Sequence, residues 1–343
     1  MYIDTEDFVE AHAKWCNSGG FAGERAEQKS AYLVGNDFSG QVLSRAIFTN
    51  SNLAELTAQG TDFTDADLYG VNLTNADMSR LRGVGSDFTR ARMSESVLAN
   101  TDLSGAKFIS TDLSRVVLTD SQLKDATFKE AKLQGANFKF SHGVGTKFLG
   151  ADLTEALLSR CGWVDAVFDN ALLTRADLHE SFLTKATFKG CKAFQANFRG
   201  VRGEGTNFRE ADLREADFTG AALREAVFWG ASLDATNFTD ADLRDADLRG
   251  CSIQGTNPGL IVVSGVPVSL YISKYNIQVD DHHGVPSYWV GLENAKVKVL
   301  FNKPDEFWSI RPTLIASLER YHEKTFASEK KLIKFLKEVE SGK

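Results

Sequence analysis

The residues best suited to chemistry lie near the C-terminal end of the sequence, in the run Asp280-Asp281-His282-His283. Imidazole and carboxylate groups are ligands that zinc and manganese take from proteins. Asp281, His282 and His283 are therefore the candidate metal ligands of the chain. The pattern is weak, because adjacent residues of a strand point to opposite faces and no second cluster supplies further ligands. A polar hairpin loop ahead of Gly284 explains the same run without a metal.

Motifs for nucleophilic catalysis and phosphate binding are missing from the sequence. No GxSxG, Walker-type phosphate loop, HExxH or Cys-x-x-Cys pattern occurs. The 4 cysteines are too few and too scattered for a disulfide framework. No signal peptide opens the sequence, and no apolar run reaches membrane-spanning length. We therefore expect a non-enzymatic, cytoplasmic protein with no cofactor and no catalytic residue.

A five-residue period organises most of the chain and must position any functional side chain. From Leu33 to Ile253, every fifth residue is large and apolar at nearly all of 45 positions, without a break in phase. A small residue, such as Ala66 or Ala151, stands two places earlier. Since a period of five fits neither an α-helix nor a pleated strand, it predicts a repeat architecture.

The pattern at every twentieth residue predicts a coil with four sides. Starting from Phe48 and ending at Leu248, 9 of 11 positions are Phe, whereas the series that starts at Leu33 contains none. Phenylalanine therefore segregates to particular sides, as stacked aromatic ladders require. Each pentapeptide would form one side, with the large residue and the preceding small residue pointing inward.

With this pattern, the chain resembles a pentapeptide repeat protein. The resemblance covers about two thirds of the chain and implies a right-handed quadrilateral β-helix, which is an all-β solenoid. Dividing the 45 pentapeptides by four predicts about 11 coils. The stretch from His12 through Trp15 to Gly23, Arg25 and Ala26 also resembles the segment that precedes many bacterial pentapeptide arrays.

Three glycine segments interrupt the pattern at intervals of 60 residues, which corresponds to three coils on one side. Gly83, Gly143 and Gly203 each stand where a large apolar residue belongs. Close packing predicts that a large neighbour fills the space, with Phe63 serving Gly83 and Trp163 serving Gly143. The alternative is a groove, lined by backbone N–H groups, that accepts an anion or a side chain of a partner.

The segments outside the repeat divide the chain into three predicted domains. Residues 1–30 form an N-terminal cap with a short amphipathic helix that covers the open end of the first coil, and residues 31–256 form the solenoid. Residues 257–343 form a small α+β domain, in which strands at 260–263 and 268–272 precede helices from Pro312 onward. The domain would cover the last coil, and an enzyme seated there remains an alternative.

Charge and exposed side chains indicate which kind of partner the chain binds and where. The net charge is −7, and the predicted solenoid mixes 24 basic with 30 acidic residues, so direct nucleic-acid binding is not expected. The candidate partner-binding residues are Trp229, Asp240 and Asp245 on the rod and Lys330 and Lys334 in the last predicted helix.

Three functions follow from these features. The first is a non-catalytic scaffold that binds another protein with its rigid surface, with no role for a membrane. The second comes from the resemblance, which implies a DNA-mimicking modulator of a type II topoisomerase that protects gyrase. The chain departs from that group because its rod is not strongly acidic and an α+β tail replaces a short dimerising helix. The third is the enzyme in residues 257–343. A homodimer through the C-terminal domain also stays open.

Overall fold

The computed structural model describes residues 5–253 and, beyond them, the backbone of strands between residues 260 and 297. Helix α1, Thr5–Asn17, comes first. Glu6 and Asp7 lie in its first turn, where carboxylates stabilise the helix dipole. The helix is followed by Gly19 and Gly20, whose φ angles of +67° and +95° belong to the left-handed region.

Residues 26–253 form a solenoid in which the chain returns to the same side every 20 residues. Parallel bridges join residue i to residue i+20, from Glu27↔Ile47 to Ser232↔Ser252. Each pentapeptide has a central residue, an inward residue two places before it, two flanking residues directly before and after it, and a turn residue two places after it. Faces 1, 2, 3 and 4 are the sides that contain the central residues Leu33, Phe38, Leu43 and Phe48, respectively, and every twentieth residue after them.

The backbone of a coil is hydrogen-bonded to the coils on both sides of it. The N–H of Leu43 donates to the carbonyl of Asp62 in the following coil at 2.8 Å. The N–H of Ile47 donates to the carbonyl of Ala26 in the preceding coil, also at 2.8 Å. The solenoid therefore needs no long strands, since most pentapeptides donate three such bonds, from the flanking residue before the centre, the central residue and the turn residue.

The corners of the coil are tight turns. At one corner the N–H of Ala46 donates to the carbonyl of Leu43 at 3.1 Å, and the turn residue Arg45 has φ of 63°. Every turn residue from Ser30 to Gly250 has a positive φ, and most of them are not glycine. A positive φ at the third residue alone defines a type II turn, which costs a non-glycine residue about 1–2 kcal/mol.

The central and inward residues form a continuous core. The Phe residues of face 4 stack from Phe88 to Phe228 with ring centroids 4.6–5.1 Å apart. A second column on the opposite face 2 joins Phe198, Phe218 and Phe238, and its rings meet the first column edge-on. The predicted aromatic ladder is therefore confirmed, and it fills the interior from two sides.

Buried hydroxyl groups bind the coils together from within. The Oγ1 of Thr61, an inward residue, donates to the carbonyl of the central residue Phe38 at 2.6 Å. Ser86 and Thr236 repeat this bond to the central residue 23 positions earlier. A hydroxyl is therefore tolerated at an inward position because a carbonyl of the preceding coil accepts its hydrogen bond.

Helix α1 covers the first coil. The ring of Phe8 meets those of Phe38 and Phe48 edge-on, at centroid distances of 6.0 and 6.4 Å. His12 is fully buried: its Nδ1 accepts the N–H of Ala26 at 3.0 Å, and its Nε2 lies 3.0 Å from the carbonyl of Ser44. The helix thus occupies the apolar cross-section that the first coil would otherwise expose.

Beyond the solenoid, the strands form an antiparallel sheet in which each strand pairs with the next along the chain. The strands are β1 (Leu260–Gly265), β2 (Val268–Ser273), β3 (Asn276–Asp281), β4 (Tyr288–Glu293) and β5 (Lys296–Val297). The strands predicted at 260–263 and 268–272 lie within β1 and β2, whereas β4 was not predicted. The helices predicted from Pro312 onward lie outside the described residues.

Candidate functional site

The glycine segments of face 3 do not form a groove. A Cβ atom on Gly143 would lie 2.3 Å from Cζ3 of Trp163, so the ring occupies the space that a central side chain would take. A Cβ atom on Gly203 would lie 2.7 Å from Oγ1 of Thr206 and 3.1 Å from a methyl group of Leu223. The residue one coil further along the face therefore fills the position, and packing replaces the groove as the explanation.

One filler was assigned wrongly from the sequence. A Cβ atom on Gly83 would lie 2.9 Å from methyl groups of Leu103 and Leu81, and Phe63 is not among its three nearest neighbours. The space is filled by Leu103 of the following coil together with Leu81 of the same pentapeptide. The hydroxyl of Ser86 lies 3.1 Å from the same point, so polar and apolar atoms close the position together.

The numerous Asp and Asn residues that precede central residues are engaged by the backbone. The Oδ1 of Asp62 accepts the N–H of Thr64 at 2.8 Å, and the Oδ1 of Asp87 accepts the N–H of Thr89 at 2.9 Å. This Asx-type bond supports the turn that follows and recurs along the rod. The prediction that these side chains satisfy backbone groups at the corners is confirmed.

The buried thiols of the rod are poor nucleophiles. Burial raises the pKa of Cys161 to about 12 and also raises that of Cys191. The Sγ of Cys161 donates to the carbonyl of Phe138 at 2.9 Å, in the role that a Ser or Thr hydroxyl has elsewhere. Cys161 and Cys191 are therefore small core residues, because only a thiolate reacts readily.

The candidate metal ligands are only partly described. Asp281 is the last residue of β3, while His282 and His283 lie outside the described residues. Within the part of the chain that the structure describes, no group of three His, Cys, Asp or Glu side chains could hold a metal ion. The metal site stays an untested prediction.

The predicted partner-binding residues occupy separate parts of the surface. Trp229 flanks the centre of face 4 and is 44% exposed. Asp240 and Asp245 are exposed turn residues with φ of 56° and 60°, so they lie at successive corners of one coil. Lys330 and Lys334 lie outside the described residues. The structure does not bring Trp229 and the two Asp residues to one face.

Arginine side chains pair with aspartates near the C-terminal end of the rod. The guanidinium of Arg249 binds both carboxylate oxygens of Asp247, at 2.8 and 2.7 Å. Arg244 forms the same bidentate pair with Asp242, and this bond lowers the pKa of the carboxyl group. Two of the four aspartates between residues 240 and 247 are therefore neutralised by an arginine of their own pentapeptide.

An exposed aromatic residue on face 3 was missed in the sequence. Phe182 is 44% exposed at a flanking position, and the guanidinium of Arg202 lies 4.9 Å from its ring centroid. Its position outside the central and inward series is the signal that identifies it. Phe140 and Val144, both 45% exposed, lie about two coils earlier and add apolar surface.

A shallow depression of about 480 Å³ lies on face 1, among polar side chains. Arg115 crosses it to bind Glu95 at 3.3 Å. Gln134 on its edge donates to Asp152 at 2.6 Å. Arg115, Glu95 and Gln134 are therefore already engaged in hydrogen bonds, and the depression does not present them as free groups for a reaction.

The fold and surface define the class of protein: a β-solenoid with a five-residue repeat, a closed core and no assembled catalytic group among its described residues. The chain belongs to the pentapeptide repeat family. The family model for pentapeptide repeats matches in 8 copies, at residues 46–80, 84–120, 121–160, 151–190, 194–230 and 221–257. No curated protein sequence matches the chain significantly.

Solved structures of pentapeptide repeat proteins are similar to the chain. HetL, involved in heterocyst differentiation regulation in Nostoc sp. strain PCC 7120, is 23% identical, with 73% of this chain and 97% of that chain covered and a TM-score of 0.34. A thylakoid-lumen protein of Arabidopsis thaliana is 29% identical over 32% of this chain and 66% of its own, with a TM-score of 0.24. QnrB1, a plasmid-mediated fluoroquinolone resistance protein, is 21% identical over 66% and 92%, with a TM-score of 0.28.

In the part of the chain that the structure describes, no helix has the length and apolar character needed to cross a bilayer.

Proposed function

We propose that the protein is a non-catalytic scaffold that binds another protein through the outer surface of its rod. The observation that carries this proposal is that the backbone groups and many flanking side chains of the coils are hydrogen-bonded within the rod. Backbone groups bond to neighbouring coils, and flanking Asp and Asn side chains support the turns. A surface held this firmly loses little conformational entropy when it binds, which is the usual advantage of a solenoid.

Exposed aromatic residues mark where contact with a partner would be strongest. Trp229 on face 4 and Phe182 on face 3 are each 44% exposed on a rigid backbone. Aromatic anchors of this kind contribute a large share of binding energy at protein interfaces. The scaffold would therefore present two alternative contact faces to its partner.

The rest of the architecture belongs to the same proposal. The rod would have about 11 coils, between an N-terminal cap at residues 1–30 and an α+β domain at residues 257–343. That domain would cover the last coil and act as an interaction module, through which a homodimer could form. The cytoplasm is the proposed compartment.

Site-specific photocrosslinking of the full chain tests the scaffold function. A photoreactive amino acid replaces Phe182, Trp229 or Lys132, which lie on faces 3, 4 and 1, and the purified protein is illuminated in an extract of its own cells. A crosslinked protein that then binds the unmodified chain in purified form supports the proposal. Absence of a crosslinked partner from all three faces refutes it, and turnover of a substrate by the full chain favours the enzyme alternative.

A further inference from the structure

The outer surface of face 4 differs from the other faces in its charge. Its flanking positions between Lys107 and Arg209 carry five cationic side chains but only one carboxylate, that of Asp169. We propose that this surface binds an acidic amphipathic helix of a partner protein, an inference that rests on the proposed scaffold function. The cationic strip consists of Lys107, Lys129, Lys147, Lys189, Arg209 and, at its end, Trp229.

Several cations of the strip have no counter-charge within the described part of the molecule. Lys107 and Lys129 form only loose pairs, each at 3.5 Å, with Asp87 and Glu130. No described carboxylate lies within ion-pair distance of Lys147, Lys189 or Arg209. Asp169 directs its Oδ1 to the backbone N–H of Lys189, at 3.0 Å. The strip therefore retains positive charge that an external anion can neutralise.

Face 1 shows that this excess is not a general property of the rod. On face 1, the flanking residues that come directly before the central residues alternate between positive and negative charge from coil to coil. They are Arg92, Asp112, Lys132 and Asp152. The corresponding column of face 4 runs from Lys107 through Thr127 to Lys147 and Val167. Opposite charges on neighbouring strands stabilise a ladder, and this column of face 4 contains one such pair, Asp87 with Lys107 at its start. Lys147 lies between Thr127 and Val167, so pairing between coils does not explain its charge.

The strip also contains apolar surface, which argues for a protein partner. Leu149 and Trp229 are 37% and 44% exposed beside the cations, and Val167 is half-buried between them. An amphipathic segment matches such a mixture, because its carboxylates meet lysines while its apolar side chains cover Leu149 and Trp229. A simple polyanion would leave the apolar part uncovered.

The width of the strip favours a single helix over duplex DNA. Most charged turn residues along the edges are carboxylates: Asp125 and Asp165 lie beside Lys185 on one side, and Glu130 and Glu210 lie on the other. A helix about 10–12 Å across fits between these edges. A duplex, whose major groove alone is about 12 Å wide, would bring its phosphates close to them.

The repeat distances also match those of a helix aligned with the rod. Coils follow one another at about 4.8 Å, close to the helix pitch of about 5.4 Å. Lys107 and Lys147 are two coils apart, about 10 Å, which is the rise of about seven helical residues. The whole strip, from Lys107 to Trp229, would accept a helix of about 20 residues.

Fluorescence anisotropy with the full chain tests the inference. The probe is a fluorescein-labelled peptide of about 20 residues, with Leu at positions i, i+3 and i+4 and Glu elsewhere. The double variant Lys147→Glu/Lys189→Glu should bind it at least about tenfold more weakly than the unchanged protein. The control Lys132→Glu/Lys192→Glu makes the same change in net charge on face 1 and should weaken binding less than about twofold.

A further variant tests the apolar part of the strip without altering charge. Trp229→Ala should weaken binding about fivefold or more, because it removes the aromatic anchor. A probe with Lys in place of Glu should not bind. Circular dichroism of every variant checks that the solenoid is intact, and Trp229→Ala keeps the test decisive where the charge reversals unfold the chain.

Several outcomes would overturn the inference. They are equal losses in the face 4 and face 1 variants, no binding of the acidic probe, or tighter binding of a short DNA duplex or of vesicles of equal parts phosphatidylserine and phosphatidylcholine. Photocrosslinking distinguishes this failure from that of the scaffold function. A partner captured at Phe182 or Lys132 but not at Trp229 refutes the cationic strip alone, whereas no captured partner refutes the scaffold as well.

Discussion

Replacing Gly143 with Ala should destabilise the rod by about 2–3 kcal/mol, because the added methyl group has no space. Its Cβ would lie 2.3 Å from Cζ3 and 2.6 Å from Cε3 of Trp163, and 2.4 Å from Oγ1 of Thr146. Carbon atoms normally approach to about 3.5–4.0 Å. The indole cannot withdraw, since Phe138 and Phe148 meet it edge-on at 5.9 and 5.3 Å. The loss of stability should therefore lie in the upper half of the range that is usual for overpacked cores.

Gly162→Ala provides the matched control for this variant. Gly162 lies beside Trp163 on the same face, but its added Cβ would approach only the ring of His142, at 3.3 Å. Neither Gly143 nor Gly162 has a positive φ, so backbone strain is absent from both variants. Because the exposed His142 side chain can move, Gly162→Ala should change stability by less than about 0.5 kcal/mol.

Urea unfolding followed by circular dichroism measures these differences. In a double-mutant cycle, Trp163→Leu should relieve part of the loss caused by Gly143→Ala, since a leucine already faces glycine at Gly203 and Leu223. If Gly143→Ala were as stable as the unchanged protein, or if Trp163→Leu brought no relief, the position would not be filled by the indole. The groove interpretation would then regain support.

Three further perturbations test other parts of the argument. Phe128→Ala should lower the unfolding free energy by about 3–5 kcal/mol, whereas Lys129→Ala should change it by less than about 0.5 kcal/mol. Similar urea midpoints for the two variants would contradict the assignment of Phe128 to the interior and Lys129 to the surface. Gly23→Ala should release helix α1 to limited proteolysis, because its Cβ would lie 2.2 Å from a backbone carbonyl of the helix, while Gly40→Ala meets nothing within 4 Å and should keep the helix protected. Burial lowers the pKa of His12, so the stability of the cap should be complete above its unfolded value of 6.5 and fall as the pH decreases below it. His12→Gln should abolish this pH dependence of proteolysis, and an unchanged dependence would exclude His12 as its source.

The period of the sequence predicted the rod because inward and outward positions differ sharply in side-chain size. Every central position from Leu33 to Leu248 that carries a large apolar residue is buried, so this one rule orients the whole solenoid. The same rule identifies Phe182 and Trp229 as outward residues. Periodicity succeeds here because each coil repeats the same environment, and one phase fixes every repeat.

Contacts between coils were harder to predict than the coils. A vacant central position can be filled from either neighbouring coil, and the sequence does not state the direction in which a side chain leans. At Gly83 the nearest side chains are Leu103 of the following coil and Leu81 of the same pentapeptide, although Phe63 of the preceding coil has a larger side chain. The two hydrogen-bonded contacts of His12 were missed for a related reason, because Ala26 and Ser44 offer only backbone groups to it.

The count of acidic residues overstates the negative field of the rod, and this bears on the DNA-mimicking alternative. Imitating a duplex requires carboxylates that face outward at regular spacing without internal cations. Asp242 and Asp247, in contrast, accept bidentate bonds from Arg244 and Arg249, and Asp62 is engaged by the turn that follows it. On face 4 the sign of the exposed charge is reversed between Lys107 and Arg209. A partner that approaches this surface meets lysines and apolar side chains, which favours recognition of an acidic protein over imitation of DNA.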